Sequence, residues 1–555
     1  MGRKSKGFWT LDAETDPFSL ERNRKNDIPK PFVWGALHYP SEEYVEFTDT
    51  ADVARFFEDK NALVYAHNGG KFDYHYLREF INSDEEILVI GGRLSKFSIG
   101  NSEFRDSLNL FQGTKLEQFG GKTKIDYALF EPDRRGDPNV DRDIRQYLRQ
   151  DCQVLTTALD RYFSTYGKSL TQAGACMKYW EKHFNQTAPR QRMSDFQRYK
   201  PFYNGGRVQC FTEGVRSATF QVVDINSAYP FAMTHRHPIS TVGLLRHDPP
   251  PINQYYKCLF KLRCTARACF PWRDDEGSLF FPDDEGGNRK RVRDYYVTGW
   301  EFLQAIALDA VSGVKILECH YFPETVCFKD YIDHFYNLRL RAKEAGDVMG
   351  SIFAKYFMNS LYGKFGQDVD NHEDYVIASS DSKADWLAKG YSDYKPWGDR
   401  RLLRRGKSHL AEDDPKRRYY NVVTAASITG FVRAHLYKSL DACSQPIYCD
   451  TDSVAARDTS GLQISNQLGD WKLEMECDQY AIAGKKLYAF RDANTGEYKT
   501  ACKGVSLTAE EIIRVARGET IKYEPQVPTY SITREQPRYI NRDVMKTYRD
   551  IAHVN

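Results

Sequence analysis

Short runs of apolar, β-prone residues that end in a carboxylate occur at two distant places in the chain. Residues 220–223 form one such run, and Asp224 follows it directly before a turn-forming segment. Two further runs flank the sequence Asp450-Thr451-Asp452. This second pattern predicts a β-hairpin whose turn presents two acids. On its own, an Asp-Thr-Asp turn is more often a solvated surface feature than a metal site.

A helical pattern lies between these two stretches. Lys355, Asn359 and Tyr362 are spaced at i, i+4 and i+7, so a helix presents all three on one side. Acids from two strands beside a cation on a facing helix are the groups that phosphoryl transfer by two metal ions requires. The pattern therefore favours a phosphoryl-transfer site over a bland surface turn.

A second set of acids is carried by three segments near the start of the chain. Apolar runs within residues 8–15 and 62–73 predict strands, and residues 144–152 have helical spacing. The acids on these segments, and the tyrosine one helical turn before the last of them, are Asp12, Glu14, Asp73, Asp151 and Tyr147. Convergence of the four acids would make a second two-metal site, with the phenol placed to orient an attacking water.

The first three stretches resemble, in order, the polymerisation motifs of family B DNA polymerases. Motif A, Asp-x-x-Ser-Leu-Tyr-Pro, is matched by residues 224–230, with Ala228 where leucine is usual. Motif B, Lys-x-x-x-Asn-Ser-x-Tyr-Gly, is matched without departure by residues 355–363. Motif C, Tyr-x-Asp-Thr-Asp-Ser, is matched by residues 448–453. Three ordered motifs are far more specific than any one alone.

The resemblance implies a role for each residue of the polymerisation site. Asp224 and Asp452 would bind two Mg²⁺ ions, for which Mn²⁺ can substitute, and Asp450 would support them. Residues implied to hold the incoming nucleotide are Lys343 and Lys355 at the triphosphate, Tyr229 beneath the sugar, and Asn359 and Tyr362 at the nascent base pair. Lys486 and Tyr488 match a Lys-x-Tyr element that contacts the primer.

The acids near the start resemble the three 3′–5′ exonuclease motifs of the same family. Asp12 and Glu14 match Asp-x-Glu, residues 68–73 match Asn-x-x-x-Phe-Asp, and residues 147–151 match Tyr-x-x-x-Asp. The resemblance implies that DNA is held by Thr15, His67, Asn68, Phe72, Ser107, Leu108 and Lys122, with Lys124 a near alternative to Lys122. Tyr203, Gly205 and Gly206 match a Tyr-x-Gly-Gly element that lies between the two activities and contacts DNA.

Two long insertions separate the polymerisation motifs. Residues 238–330 lie between motifs A and B, and residues 367–420 lie between motifs B and C. Insertions at these places are typical of the protein-primed branch of the family, and several segments resemble tectivirus-type phage polymerases. The first insertion would bind a terminal protein. The second would wrap DNA and separate its strands, with Arg400, Arg401, Arg404, Arg405 and Lys407 as phosphate-binding candidates, although a charged run is often only a solvated face.

The implied fold is a multidomain α/β and α+β protein. An RNase H-like 3′–5′ exonuclease domain would precede a right-hand polymerase of palm, fingers and thumb that carries the two insertions. The expected exonuclease domain is 1–170, followed by a linker and first palm segment at 171–237. The first insertion is 238–330, the fingers are 331–366 and the second insertion is 367–420. The remaining palm is 421–504, and the thumb is 505–555. The expected partners are DNA template and primer, deoxynucleoside triphosphates and a terminal protein.

The composition restricts how the protein could bind nucleic acid, metal or membrane, but it does not identify a function. The 555 residues have a formal net charge of only +2, so a nucleic acid would have to be held by local basic patches. The 12 cysteines include no Cys-x-x-Cys pair, which indicates reduced thiols, and Cys258, Cys264 and Cys269 fit no zinc template well. No apolar run approaches the length of a membrane span, and a phage enzyme would work in the cytoplasm of its bacterial host.

Two alternatives remain open from the sequence. A primer-independent polymerase of the same family has similar motifs, because the choice of primer is not written in the active-site residues. A nuclease or DNA-binding factor with a decayed polymerisation site is the alternative from another class. Each expected acid is present, which disfavours it.

Overall fold

The structure is a computed structural model. It describes residues 7–18, 29–121, 125–286, 291–406, 410, 414, 419–532, 534 and 537–547. Lys122, Lys124 and Lys407 lie outside the described residues.

The first large sheet has ten strands, and its centre is parallel. Strand Phe8–Thr15 pairs in parallel with Leu63–Ala66, which pairs in parallel with Ser102–Asp106. From one edge to the other the strands are Ser392–Trp397, Arg400–Gly406, Glu373–Ala378, Glu86–Ile90, Arg93–Ile99, Ser102–Asp106, Leu63–Ala66, Phe8–Thr15, Pro31–Tyr39 and Tyr44–Phe47.

Alternation along the central strand decides where its acids point. Trp9, Leu11 and Ala13 share a core with helix Thr50–Glu58 on one side of the sheet. The even-numbered residues turn to the other side, where the Thr10 hydroxyl donates to the Cys152 carbonyl at 3.1 Å. Because side chains alternate between the two faces of a strand, Asp12 and Glu14 face the helix that contains Cys152. That helix, Pro138–Tyr166, is longer than the predicted segment and buries a stripe at three- and four-residue spacing that includes Tyr147 and Asp151.

The second predicted insertion is built into this sheet. Glu373–Ala378 pairs antiparallel with Glu86–Ile90, and its neighbours Arg400–Gly406 and Ser392–Trp397 continue the sheet outward. Helix Lys383–Ala388 lies in the same segment. Residues far apart in the chain therefore complete one sheet.

The second large sheet has seven strands and carries the other acids. Strand Gly214–Ile225 lies between Trp471–Gly484 and Ser453–Asp458. The full order is Tyr498–Cys502, Leu487–Asp492, Trp471–Gly484, Gly214–Ile225, Ser453–Asp458, Ser444–Asp450 and Val208–Cys210. The helices around it are Gln172–His183, Met193–Tyr199, Ala228–Met233, Lys329–Glu344, Val348–Phe365 and Val422–Ala442. A single buried core joins all of these helices except Met193–Tyr199 to Pro138–Tyr166, so the two sheets are held together by packing.

The first predicted insertion forms a smaller unit with its own core. Its four-stranded sheet has the order Leu244–Arg246, Val311–Tyr321, Cys258–Ala266 and Arg293–Thr298, and helix Gly299–Ala307 packs on it. Two-stranded ladders join Arg236–Pro238 to Thr325–Cys327 and Trp272–Arg273 to Leu279–Phe280. Cys258, Cys264 and Cys269 are buried in this apolar core, where cysteine packs as a small hydrophobe.

The C-terminal segment returns to the first sheet. Helix Ala509–Ala516 packs on the seven-stranded sheet beside a ladder of Ile521–Tyr523 with Arg542–Val544. Between these two strands the chain crosses to the first sheet, where Ile532 is buried in its core and the Tyr530 hydroxyl lies 2.8 Å from that of Tyr76. In the part of the chain that the structure describes, no helix is both long and apolar enough to cross a bilayer.

Candidate active sites

The Asp-Thr-Asp sequence forms the predicted hairpin turn. Asp450 and Ser453 are register partners, so Thr451 and Asp452 make a two-residue loop, and Thr451 has a φ of 61°. Ser453 also pairs with Asp224 on the neighbouring strand. The sheet therefore brings Asp224 beside Asp452, although the chain separates them by more than two hundred residues.

Asp224 and Asp452 both have raised pKa values, because they are buried close to other acids. Burial, followed by repulsion from Asp452 and Glu474, raises the pKa of Asp224 to about 7. Burial and the charge of Asp450 raise the pKa of Asp452 as well. Carboxylates that repel one another in this way are stabilised by a cation between them. Oxygen donors of this kind fit Mg²⁺, so Asp224 and Asp452 are suited to hold it.

Asp450 has a different environment from the other two acids. Both of its oxygens accept from the Lys486 ammonium, at 2.8 and 2.6 Å. The Lys486 backbone amide donates to the Tyr448 hydroxyl at 3.0 Å, and the Tyr488 ring lies 4.8 Å from the ring of Tyr448. The predicted primer-contact residues Lys486 and Tyr488 thus lie at the motif C hairpin, and Lys486 neutralises Asp450. A supporting role for Asp450 is consistent with this pairing.

Two tyrosines from separate motifs form a stacked pair of rings near Asp452. The rings of Tyr229 and Tyr362 are stacked at 4.4 Å with an interplanar angle of 3°. Tyr229 is on the short helix Ala228–Met233, and Tyr362 is on helix Val348–Phe365. Asn359, one turn before Tyr362, donates its side-chain amide to the Lys355 carbonyl at 2.9 Å. Motifs A and B meet here as the sequence predicts.

Lys343 lies close enough to three other cations for their charges to act on it, and one of them, Lys472, is the register partner of Asp224. The pKa of Lys343 is lowered, first by the charge of Arg339, then by burial and by the charges of Lys472 and Lys355. Like charges gathered in this way are suited to bind a triphosphate. Lys343 and Lys355 are among the predicted residues, whereas Arg339 and Lys472 are not. Arg339 is one helical turn before Lys343 and was detectable by spacing, but Lys472 is identified only by its strand register with Asp224.

The Tyr-x-Gly-Gly element also lies at this site. A methyl group added to Gly206 would approach the Thr451 side chain to 2.6 Å, and the Thr451 amide donates to the Arg207 carbonyl at 2.7 Å. The Tyr203 ring lies against Gly366, just past the end of the motif B helix. Tyr203, Gly205 and Gly206 therefore form a loop between motifs B and C, which we call the Gly-Gly loop and define as residues 203–207.

The second site contains three acids in close contact. Carboxylate oxygens of Asp12, Glu14 and Asp151 all lie within 4.8 Å of one another. They line a cavity of about 800 Å³ together with Thr15, Asn68, Phe72, Tyr127 and Tyr147. A compact set of carboxylates at the wall of a cavity is suited to hard divalent cations.

Asp73 is the fourth predicted acid and lies deeper. It is 1% exposed, and burial together with Asp106 and Asp151 raises its pKa to about 8. Its Oδ1 has no hydrogen-bond partner among the described residues. A buried carboxylate oxygen in this condition is satisfied if a cation binds beside Asp151, so the donor set fits a metal site.

Tyr147 is positioned at the edge of the acidic cluster. Its hydroxyl lies 3.4 Å from that of Tyr127. Burial raises its pKa, and the charges of Asp151, Glu14 and Asp12 act in the same direction, so the phenol stays protonated. A neutral phenol can donate to or accept from a water beside the acids.

The predicted strand-binding residues surround the second cavity. His67 Nδ1 lies 2.9 Å from the Ser107 hydroxyl, and His67 Nε2 lies 2.9 Å from the Thr114 carbonyl oxygen. Phe72 packs at 5.6 Å against the Tyr530 ring, and Thr15 and Asn68 line the cavity. Leu108 follows Ser107 in the same short turn.

Two features of this site have no counterpart in the predicted residues. Buried Asp106 accepts from the amides of Asn68, Gly70 and Leu108 at 3.2, 3.1 and 2.9 Å, so it holds in place the two turns that carry predicted strand-binding residues. Residues 526–530 from the C-terminal segment line one wall of the cavity. Asp106 directly precedes Ser107 and was within reach of local reasoning, whereas the C-terminal wall depends on tertiary contacts.

Comparison with known proteins agrees with this geometry. The family model described as DNA polymerase type B, organellar and viral, matches residues 121–446. This chain belongs to the family B DNA polymerases. A DNA-directed DNA polymerase of Enterobacteria phage PRD1 is 32% identical over 525 residues, which cover 90% of this chain and 86% of that protein. A DNA polymerase of Bacillus phage Nf is 24% identical over 59% of this chain and 55% of its own length.

Solved structures show the fold of this family B polymerase. Phi29 DNA polymerase, solved with primer-template DNA, matches with a TM-score of 0.74 at 16% identity and covers 97% of this chain and 100% of its own. Its ternary complex with incoming nucleotides gives the same score. The predicted fold class and the resemblance to phage-type family B polymerases are confirmed.

Proposed function

We propose that this family B polymerase is a replicative DNA-directed DNA polymerase with a 3′–5′ proofreading exonuclease. The observation that carries the proposal is the presence of two separate carboxylate sites, one at Asp224 and Asp452 and the other at Asp12, Glu14 and Asp151. The first site lies beside Lys343, Lys355 and Lys472 and beside the stacked pair Tyr229 and Tyr362, which are groups that a nucleotide needs. The second is faced by a cavity suited to a single strand.

In the polymerisation site, each group of the chain has a distinct task. Asp224 and Asp452 would hold two Mg²⁺ ions, and bound Mg²⁺ would supply Lewis-acid stabilisation of the primer 3′-oxygen and of the pyrophosphate leaving group. Lys343, Lys355 and the two further cations hold the triphosphate. Tyr229 supports the sugar, and Tyr362 stacks behind it. Lys486 pairs with Asp450 and so offsets part of the repulsion that Asp450 exerts on Asp452.

In the exonuclease site, the chain holds the 3′ end and excludes other orientations. Phe72 offers a ring to an unpaired base. Asp106 fixes Asn68 and Leu108, and His67 fixes Ser107, so the strand-binding turns are preorganised. Tyr147 orients the water that attacks the scissile phosphate.

We infer further that synthesis starts on a hydroxyl of a terminal protein, which the insertion 238–330 would bind, and that the enzyme displaces the downstream strand. Support comes from the two insertions and from the similarity to phage polymerases. The discriminating experiment incubates the purified protein with Mg²⁺ and nucleotides on a primed template or a bare single strand, with and without terminal protein. Products on the bare strand alone would favour primer-independent initiation. Products that require terminal protein would support protein priming.

Sugar selection gives the first test of the nucleotide site. Tyr229→Val should admit ribonucleotides more readily by about 10- to 100-fold, because the ring that contacts the sugar is lost while the acids are untouched. The measurement is the ratio of kcat/KM for a deoxynucleotide and the matching ribonucleotide, with Tyr336→Phe as a control outside the stack. An unchanged ratio would remove Tyr229 from this role.

Strand displacement gives a second test. The four arginines predicted to bind phosphates already have protein partners: Arg400 donates to carbonyls of residues 78, 79 and 81, Arg401 pairs with Asp393, Arg404 with Glu373 and Arg405 with Asp374. The role of residues 367–420 therefore needs a variant that keeps Glu373–Ala378 and Arg400–Gly406 in the sheet and removes only the edge strand Ser392–Trp397 and helix Lys383–Ala388. Ser379 and Arg400 are the next positions of the Glu373–Ala378 ladder, so an Asn-Gly turn can replace residues 380–399.

The shortened variant should extend a primer on an open template but stop at a duplex. The measurement is product length on gapped DNA, with exonuclease activity as the check that the sheet has folded. Displacement as far as that of the intact enzyme would show that the segment is only a structural extension of the sheet.

A further inference from the structure

The Gly-Gly loop is held from behind by a buried ion pair. Arg433 on helix Val422–Ala442 donates to the carbonyls of Asn204 and Gly205 at 2.5 and 2.9 Å. Its Nε donates to Glu301 at 2.8 Å. Arg433 and Glu301 are each 2% exposed. A charge buried this deeply needs its partner, so the position of Arg433 depends on Glu301.

Glu301 belongs to the insertion 238–330 and is itself fixed there. Its second oxygen accepts from the backbone amide and the hydroxyl of Thr298, at 2.9 and 2.8 Å, as the capping box of helix Gly299–Ala307. Gly430 allows the two helices to approach, because a methyl group there would meet the Thr298 side chain at 2.1 Å. The insertion is therefore locked to the helix that carries Arg433.

Two more contacts run from the insertion to the Gly-Gly loop. Arg273 donates its Nε to the Asn204 side-chain oxygen at 3.1 Å and an Nη to the Gly277 carbonyl at 2.7 Å. Arg207, at the end of the loop, donates to the Ala268 carbonyl at 2.8 Å. The loop thus contacts Thr451 on one side and forms hydrogen bonds with Arg273 and Ala268 of the insertion on the other.

We propose that Glu301 and Arg273 are positioning residues for polymerisation, which act by holding the Gly-Gly loop against the motif C turn. Neither touches the acids, and both act through another residue, Glu301 through Arg433 and Arg273 through Asn204. The insertion is in this sense part of the primer-template binding site and not only a platform for a partner. This inference rests on the proposed function, since it assumes that the loop binds DNA.

Arg273→Ala is the principal test, because Arg273 is exposed and its loss should not unfold the protein. The matched control is Arg263→Ala, which removes an exposed arginine of the same insertion that pairs with Asp294 at 2.7 Å. Arg273→Ala should raise the KM for primer-template roughly 3- to 10-fold, the size of one hydrogen bond, with kcat at saturating DNA unchanged. Arg263→Ala should change neither constant.

Two further variants separate positioning from general damage. Asn204→Ala should raise the KM to a similar extent, and adding Arg273→Ala to it should have little further effect, because both act in one contact. Glu301→Gln should raise the KM more strongly, and Glu301→Asp should recover part of the loss. If Glu301→Gln fails to fold, as judged by thermal melting, the Arg273 and Asn204 series decides the matter.

The binding affinity for primer-template, measured by fluorescence anisotropy without nucleotide, distinguishes a failure of the proposed polymerase function from a failure of the positioning role. If the intact enzyme binds DNA but does not extend it, the proposed function fails while the anisotropy series still tests the positioning role. Gly206→Val, which pushes the loop directly off Thr451, gives the reference defect. If it weakens binding while Arg273→Ala matches Arg263→Ala, the positioning role is wrong.

Discussion

Replacing Asp452 with alanine is expected to abolish primer extension and leave 3′–5′ digestion intact. Asp452 is one of two acids suited to hold the metal ions at the polymerisation site, and its loss removes several kcal/mol of charge stabilisation in the transition state, or about 1,000-fold in rate. The digestion site is assembled from other segments of the chain. Rates of nucleotide addition and of digestion of a labelled single strand, on the same preparation, check both halves of the expectation.

The control for Asp452→Ala is Asp458→Ala, which removes an exposed acid at the end of the same hairpin. Asp458 accepts a local backbone hydrogen bond from Ser460 at 2.8 Å and lies away from the turn. Primer extension by this variant should match that of the intact enzyme. A loss of both activities in folded Asp452→Ala would contradict the independence of the two sites.

The reverse result is expected from Asp12→Ala combined with Glu14→Ala. These acids form a carboxylate cluster with Asp151 at the site proposed to carry the exonuclease, so 3′–5′ digestion should fall by about 1,000-fold while primer extension continues. The pair Asp141 and Asp143, near the exposed start of helix Pro138–Tyr166, provides a matched control of two removed acids. Errors per nucleotide copied should rise only in the Asp12 and Glu14 variant. Unchanged digestion would place the nuclease elsewhere or remove it.

Local patterns in the sequence predicted those parts of the two sites that depend on neighbouring residues. The hairpin at Asp450 and Asp452 follows from a two-residue turn between apolar runs, and the position of Tyr147 and Asp151 on one buried helix face follows from their spacing. Each of these features is decided within about ten residues. The strands and helices that carry the acids were therefore predictable in type and approximate position.

Features set by tertiary pairing were not predictable in the same way. Lys472 lies beside Asp224 because their strands pair, and nothing near Lys472 in the sequence indicates this partner. The arginines at 400–405 have the composition of a DNA-binding face, yet they bind carbonyls and carboxylates of the protein. Composition gives the charge of a segment, while its partners depend on which distant strand it meets.

The pairing of Glu86–Ile90 with Glu373–Ala378 has a consequence for how the chain folds during synthesis. A ribosome that has produced only the first third of the protein leaves Glu86–Ile90 as an open edge, with unpaired amides and carbonyls. The missing strands emerge only after residue 406, when the motif A and motif B segments are already outside the ribosome. Closure of the first sheet is thus a long-range, late event, and such contacts slow folding. The two large sheets, each with its own carboxylate site, are consequently expected to mature together, and neither should become fully structured before the other.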